Sequence, residues 1–526
     1  MKTKKIITKI MLALCLVSII ALIVVVLTGC TFAEKKSLSN YVIDINFNDE
    51  EKTLSCNEIL TYENKTETVL NFICLNLYPN AFREESTSSP VSLANQHKAY
   101  PNGLSYGEIN INSVSVLHNT AKYCNSFNIT QPTYSEIANF FVENKLEENE
   151  YFIGGEDENI LYIIFKTPLY PGEKTEIEIE FDVVLPNVNH RFGYGNNTVN
   201  LANFYPIVCV FNEGDFDKSL YHYNGDPFFS DMSNYSVSLT APKEYVVSNT
   251  GVVASQTQNE GFQKVFMEAK NVRDFAIVLS KEFKVLSKVV EETELKYYYF
   301  SDPNPEKSLE TSVKALLFFN NLIGEYSYPT LSVVEANFVH GGMEFPNLVY
   351  ISNEIGDEKT YNQVIVHEIA HQWWYNMVGN SAFKFGWLDE GLTEYSTALF
   401  FEANPQYSLS KDTIINNAYS SYSLFVQVYG NVFGEVDTSM NRPLDKYETE
   451  QEYVYTAYIK GMLFFDSLRE IVGKEKFEKC LKNYFKEYKF QNVTPDNMIA
   501  SFEKTLGTSL ESYFNAWING DLILLK

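Results

Sequence analysis

The 526-residue sequence predicts a multidomain α+β protein, β-rich over residues 41–300 and mixed but mostly helical over residues 301–526. Three observations carry this expectation. The chain is too long for one ordinary core, so two or three domains are expected. Upstream of residue 300, apolar and polar residues alternate with period two, the mark of half-buried strands. At Ser301-Asp302-Pro303-Asn304-Pro305 the texture changes, and apolar residues beyond it recur at helical spacing.

The first stretch reads as an export signal over residues 1–29. Lys2, Lys4, Lys5 and Lys9 precede an apolar run from Met11 to Leu27. Leu27-Thr28-Gly29-Cys30 resembles the lipobox of bacterial lipoproteins. That resemblance implies cleavage before Cys30, a diacylglyceryl group on its sulfur, and residues 30–40 as a tether. The protein would then be lipid-anchored in the cell membrane, facing the extracytoplasmic side. The alternative is an uncleaved anchor, because the apolar run is nearly long enough to span a bilayer. Either way the rest of the chain lies outside the membrane.

Net charge is -26, and residues 1–29 contain no acid, so the chain beyond residue 29 is more acidic still. Such a surface repels nucleic acid and anionic headgroups, which excludes a nucleic-acid partner. Besides Cys15 and Cys30 there are Cys56, Cys74, Cys124, Cys209 and Cys480. An odd, widely spaced set is no disulfide framework, and small core residues are expected. Nothing in the sequence specifies an oligomeric state.

In the β-rich part, Tyr41–Phe47 and Thr175–Phe181 alternate, as do Tyr235, Val237 and Leu239. Pro171-Gly172 and Asn249-Thr250-Gly251 read as turns. Residues 83–160 are more polar and are expected to hold long loops. In the second part, Leu309 to Ile323 reads as a helix and Leu331 to Phe338 as a strand ahead of Gly341-Gly342-Met343-Glu344-Phe345. The next helix has a capping-box spacing at Thr360 and Gln363, with Asp357 and Glu358 just upstream. Val364, His367, His371, Trp374 and Val378 form its stripe, and Gly379 its stop. Asp389 to about Glu402 and Ala457 to Val472, the latter closed by Gly473, complete the helical pattern.

The most informative turn is His367-Glu368-Ile369-Ala370-His371, with Glu390 downstream in Trp387-Leu388-Asp389-Glu390-Gly391. Histidines four apart project from one helical face. Two imidazoles and a carboxylate make an open zinc site, with a fourth position left for water. Other divalent metals fit such ligands too. Glu368 adjoins that face, where it can take a proton from the water. Only seven His occur in the chain, and two fall here; three of its four Trp lie close by. The expected chemistry is hydrolysis of peptide bonds with one Zn2+ per chain.

These residues resemble the gluzincin zinc peptidases of the aminopeptidase N type. Gly341-Gly342-Met343-Glu344 is similar to that family's exopeptidase motif, Trp387 to Leu392 to the segment carrying its third ligand, and Tyr458-Ile459-Lys460-Gly461 to the one carrying its catalytic tyrosine. Gly225-Asp226-Pro227-Phe228-Phe229 and Asn271-Val272-Arg273-Asp274-Phe275 also match family members. The resemblance implies a β-sheet saddle domain on a thermolysin-like zinc domain. It implies that His367, His371 and Glu390 bind zinc, Glu368 is general base and then general acid, Tyr458 stabilises the oxyanion, and Glu344 binds the substrate's free α-amine beside Gly341, Gly342 and Met343.

The chemistry supports those roles. Zinc lowers the pKa of its water toward ~7. A carboxylate collects the proton and returns it to the leaving amine. Losing an oxyanion donor costs ~2.7–4 kcal/mol. Glu394, one turn after Glu390, either orients a zinc-bound His or is a solvated surface acid. Tyr453 and Tyr455 are alternatives to Tyr458 as the phenol.

There are departures from the family pattern. Phe345 stands where the family usually has Asn. Residues 200–206 hold no clear counterpart of a second amine-binding residue, with Asn203 the candidate. The chain ends soon after Trp517, which predicts a more open cleft. Aminopeptidase action on peptides is the first expectation. An endopeptidase or dedicated processor is the alternative, and a zinc-containing binding protein without turnover a third. The binding lipoprotein of a transporter would share the lipobox but gives no reason for the zinc ligands.

Overall fold

The period-two segments build one large sheet. A computed structural model describes residues 38–124, 132–137, 146–434 and 436–520; the export signal, Cys30 and the tether up to residue 37 lie outside the described residues. Strands β1 (Ser39–Asn48), β2 (Thr53–Glu63), β3 (Glu108–Val116), β4 (Asn119–Thr120), β5 (Lys174–Val184), β6 (Ser233–Pro242), β7 (Val252–Asn259) and β8 (Phe262–Val272) lie in the order β7-β8-β6-β1-β2-β5-β3-β4. Neighbours are antiparallel except β1 and β6, which run parallel. In β1, Tyr41, Ile43, Ile45 and Phe47 point into the core. Tyr41 pairs with Tyr235, and their rings stack 4.8 Å apart, a cross-strand pair that helps pin the register.

Among the described residues, a five-stranded sheet, a four-stranded sheet and the two-stranded pair Phe211–Asn212 with Asp215–Phe216 complete the β-rich part. The polar stretch 83–160, expected to be loops, contributes β3, β4 and the short strands Lys122–Tyr123 and Glu150–Gly154. Cys56, Cys74, Cys124, Cys209 and Cys480 are all buried, and among the described residues no disulfide joins them.

A further sheet carries the chain into the helical part. It consists of β9 (Lys284–Val290), β10 (Thr293–Tyr299), β11 (Thr330–Ala336), β12 (Gly342–Met343) and β13 (Leu348–Ser352), in the order β9-β10-β11-β13-β12. The change of texture at residue 301 falls inside this sheet, so the hairpin β9-β10 packs with the elements after it. Helix α1 (Pro305–Leu322) covers that hairpin and α2 (Glu358–Ala370). Helices α3 (Ala382–Ala403), α4 (Lys411–Phe433) and α5 (Gly461–Val472) come next. One continuous apolar core runs from β1 to the last helices. Among the described residues, no helix is long and apolar enough to cross a membrane.

Helix α2 differs from its sequence pattern at both ends. Asp357 is the N-cap, its side chain accepting from the Thr360 amide at 2.9 Å, so Thr360 lies within the first turn rather than capping it. The helix ends at Ala370, with His371 as its C-cap. The chain then turns through Tyr375, at φ 103°, and Val378–Gly379 pairs with Gln491–Asn492. Gly379 is therefore not a helix stop. It lies against the buried Arg273 guanidinium, where any Cβ would collide. Arg273 donates to the Asn376 carbonyl at 3.1 Å, the Ser230 carbonyl at 2.9 Å and the Gln491 carbonyl at 2.8 Å, tying the β-rich part to the turn after α2.

Candidate metal and catalytic site

Helices α2 and α3 bring the three candidate ligands together. His367 is in the last turn of α2, His371 is its C-cap four residues on, and Glu390 is on α3. His371 Nε2 lies 3.1 Å from His367 Nε2 and 3.1 Å from Glu390 Oε2; His367 Nε2 lies 3.3 Å from the same oxygen. Two imidazole nitrogens and a carboxylate converging on one point are a donor set suited to zinc. The outer ring nitrogens support this. His371 Nδ1 donates to the Trp374 carbonyl at 3.0 Å, and His367 Nδ1 lies 3.4 Å from Glu394 Oε1. Both contacts leave Nε2 free for a metal and hold each ring in place. Trp374 thus serves through its backbone carbonyl. Its ring packs 5.9 Å from Tyr484, outside the stripe expected of it.

Burial governs the electrostatics. Burial alone would raise the Glu390 carboxyl, but His371 and His367 outweigh it and hold its pKa below the usual carboxylate range. Burial raises Glu368, against the opposing charges of the two His. Burial and then Asp226 raise Glu344. Glu368 is 5% exposed, and its Oε2 has no hydrogen-bond partner. Gly342 lies over its carboxylate so closely that a Cβ there would overlap it.

Tyr458 comes from a π-helical stretch, Val454–Lys460, of the kind often found at functional sites. Its hydroxyl donates to Glu390 Oε1 at 2.5 Å, and its ring lies nearly parallel to His367 at 6.3 Å. Helix packing sets this reach. Gly391 and Gly461 meet where α3 crosses α5, and a Cβ on Gly391 would stand 2.7 Å from Gly461 Cα. Of the alternative phenols, Tyr455 stacks on Phe425 at 4.5 Å, whereas Tyr453 lines the same cleft as Tyr458.

The cleft encloses about 340 Å³. Its lining holds Gly341, Gly342, Glu344, His367, Glu368 and His371, joined by Glu390, Glu394 and Tyr458. Met343 is buried beside it, its sulfur accepting from Arg191 Nε at 3.0 Å. Phe345 is a core residue packed against Tyr350. Asn203 is not in the cleft. It is buried and hydrogen-bonds Asp274, so the candidacy of Asn203 as an amine ligand is corrected by its burial elsewhere.

Arg191, Tyr223, Asp226, His340 and Glu450 also line the cleft, and sequence reasoning assigned none of them a role. Asp226 sits in the Gly225–Phe229 segment that resembled the family; the others stand in stretches with no spacing signal. Arg191 pairs with Asp226 and donates to the Gly225 carbonyl at 3.0 Å.

Residues 307–517 match the model of the Peptidase family M1 domain. The chain is similar to leucine aminopeptidase 2 of Lodderomyces elongisporus, 28% identical over 36% of this chain and 32% of that one. It is similar to aminopeptidase B of Rattus norvegicus, 30% identical over 41% of this chain and 33% of that one. The chain thus aligns with about a third of the length of these relatives. An M1 zinc metallopeptidase from Deinococcus radiodurans shares the fold, with TM-score 0.63 and 16% identity over 93% of this chain and 96% of that one. The α+β fold, β-sheet part first and helical part second, is that of the M1 metallopeptidase structures.

Proposed function

We propose that this chain, whose residues 307–517 match an M1 peptidase domain, is a zinc aminopeptidase that removes N-terminal residues from peptides. The observation that supports it most is the joint placement of the three converging ligands, Glu368, Tyr458 and Glu344 in one cleft. His367, His371 and Glu390 would hold zinc, which would supply a Lewis acid and lower the pKa of a water. Glu368 would take a proton from the attacking water on a carboxylate oxygen and return it to the leaving amine. Tyr458 donates its hydroxyl hydrogen to the developing oxyanion. Glu344 holds the substrate ammonium and so sets the distance from chain end to scissile bond. A related M1 zinc metallopeptidase from Deinococcus radiodurans has been solved with a Tyr-Ser-Ala substrate, which fits a peptide in this role.

The reading includes a lipid anchor at Cys30 that holds the enzyme outside the membrane. Loss of membrane association in Cys30→Ser would support the lipid, and retention the uncleaved helix. The activity is tested with aminoacyl amides and N-acetylated peptides, each with and without chelator, and with Glu368→Ala as control. Metal-dependent cleavage of free-amine substrates alone supports the aminopeptidase. Equal cleavage of acetylated peptides would replace it with an endopeptidase.

A further inference from the structure

The side of the π-helical stretch turned away from the cleft carries a buried charge that the proposed chemistry does not use. Lys460 follows Tyr458 by two residues on Val454–Lys460. Two steps along a helix carry a side chain through roughly half a circle. The Tyr458 hydroxyl reaches Glu390 at the cleft, while Lys460 is 0% exposed and lines no part of it. Burying an ammonium is costly unless it is hydrogen-bonded. Lys460 Nζ donates to the Thr438 carbonyl at 2.6 Å and to the Trp517 carbonyl at 2.8 Å.

Those acceptors come from separate segments, 22 and 57 residues away in the chain. Trp517 is in the last turn of the helix Glu511–Ile518, where orphan carbonyls and the helix dipole both favour a cation. The two segments are also joined to each other. The Met440 amide donates to the Ile518 carbonyl at 2.7 Å, and Thr438 Oγ1 to the Gly520 carbonyl at 3.0 Å. Lys460 thus pins the π-helical stretch to a closed clamp. On the next residue, Gly461 meets Gly391 of α3, beside Glu390. An apolar side chain would fill the same space as Lys460, but only a donor fixes the rotation of the turn. That rotation matters in a π-helical turn, which is rare and holds an extra residue. Relaxation to α-helical winding would swing side chains by up to about 100° and take the phenol off Glu390.

We propose that Lys460 is a positioning residue for Tyr458: its ammonium anchors the back of the π-helical turn, so that the phenol at the front stays aimed over Glu390. The inference rests on the aminopeptidase reading, in which Tyr458 donates to the oxyanion, and adds to it a residue that touches neither substrate nor metal ligand.

The test uses the full chain in detergent. Lys460→Met keeps the length of the side chain and removes the donor. In the zinc-loaded protein it should lower kcat on an aminoacyl amide by about 10–100-fold, with KM little changed and metal content by atomic absorption the same. In the Tyr458→Phe background the same substitution should lower kcat no further, because the hydroxyl it aims is gone. An unchanged kcat, a loss of metal, or equal falls in both backgrounds would make Lys460 a general structural residue and overturn the inference. A reading independent of turnover replaces Tyr458 by fluorotyrosine in the metal-free protein and follows its fluorine NMR resonance. Lys460→Met should shift or broaden that resonance, and an unmoved resonance overturns the inference. Should Lys460→Met not fold, Thr438→Val opens the clamp while leaving the lysine, and the same resonance and the same two backgrounds read it. If the parent cleaves no amide, the aminopeptidase reading fails, and the resonance alone then decides the anchor.

Discussion

Glu58 offers a sharp test of how the β-rich part is held together. It lies on β2 with its side chain in the core, 0% exposed, and neither carboxylate oxygen has a hydrogen-bond partner. Burial pushes its pKa well above the usual carboxylate value. The folded protein therefore keeps a proton that the unfolded chain, with a pKa of about 4.3, releases. Stability from this group is complete below about pH 4.3 and declines as pH rises toward the folded pKa, at about 1.4 kcal/mol per pH unit within that window. Replacement by Gln keeps the shape and removes the titration. The difference in unfolding free energy between Glu58→Gln and the parent should grow by about 1.4 kcal/mol between pH 5 and pH 6. Urea unfolding at both pH values, in matched salt, reads it directly, and the comparison cancels every other titrating group. Parallel pH profiles would show that Glu58 is charged in the fold and would refute the reasoning.

Three further outcomes are expected. Tyr458→Phe should lower kcat by about 10²–10³, as loss of an oxyanion donor does, with metal content by atomic absorption unchanged; a fall in metal content instead would make the phenol a structural partner of Glu390. Glu394→Gln should weaken zinc binding by about 10–100-fold in chelator competition, because it weakens the charge that orients His367; unchanged affinity would return Glu394 to the solvated surface. Gly379→Ala should cost about 1–3 kcal/mol in urea unfolding, because its methyl would displace the Arg273 guanidinium from its carbonyls; a neutral result would show that the turn after α2 yields.

Much of this protein is local chemistry, and local chemistry is written in sequence. Period-two alternation placed β1, β5 and β6 because a strand must bury every second residue. Spacing placed His367 and His371 on one face, because a helix returns to the same side after four residues. Glu390 and Tyr458 could be named because they sit in segments with a recognisable pattern. Other features depend on what the chain meets in space. The α2 helix ends at Ala370, although the apolar pattern continues in sequence, and the turn after it is gripped by Arg273 from the bend that follows β8. Gly379 looked like a helix stop and is a clearance for that guanidinium. The break in texture at residue 301 marked no edge in space, because β10 pairs in parallel with β11 across it. The crossing of α3 and α5 at two glycines, which places Tyr458 over Glu390, left no periodic signal. Nor did the meeting of Arg191, Asp226, His340, Glu450 and Tyr453 in one wall. Side chains more than a hundred residues apart acquire a common electrostatic environment only when packing brings them together, and that environment is what the tertiary structure decided.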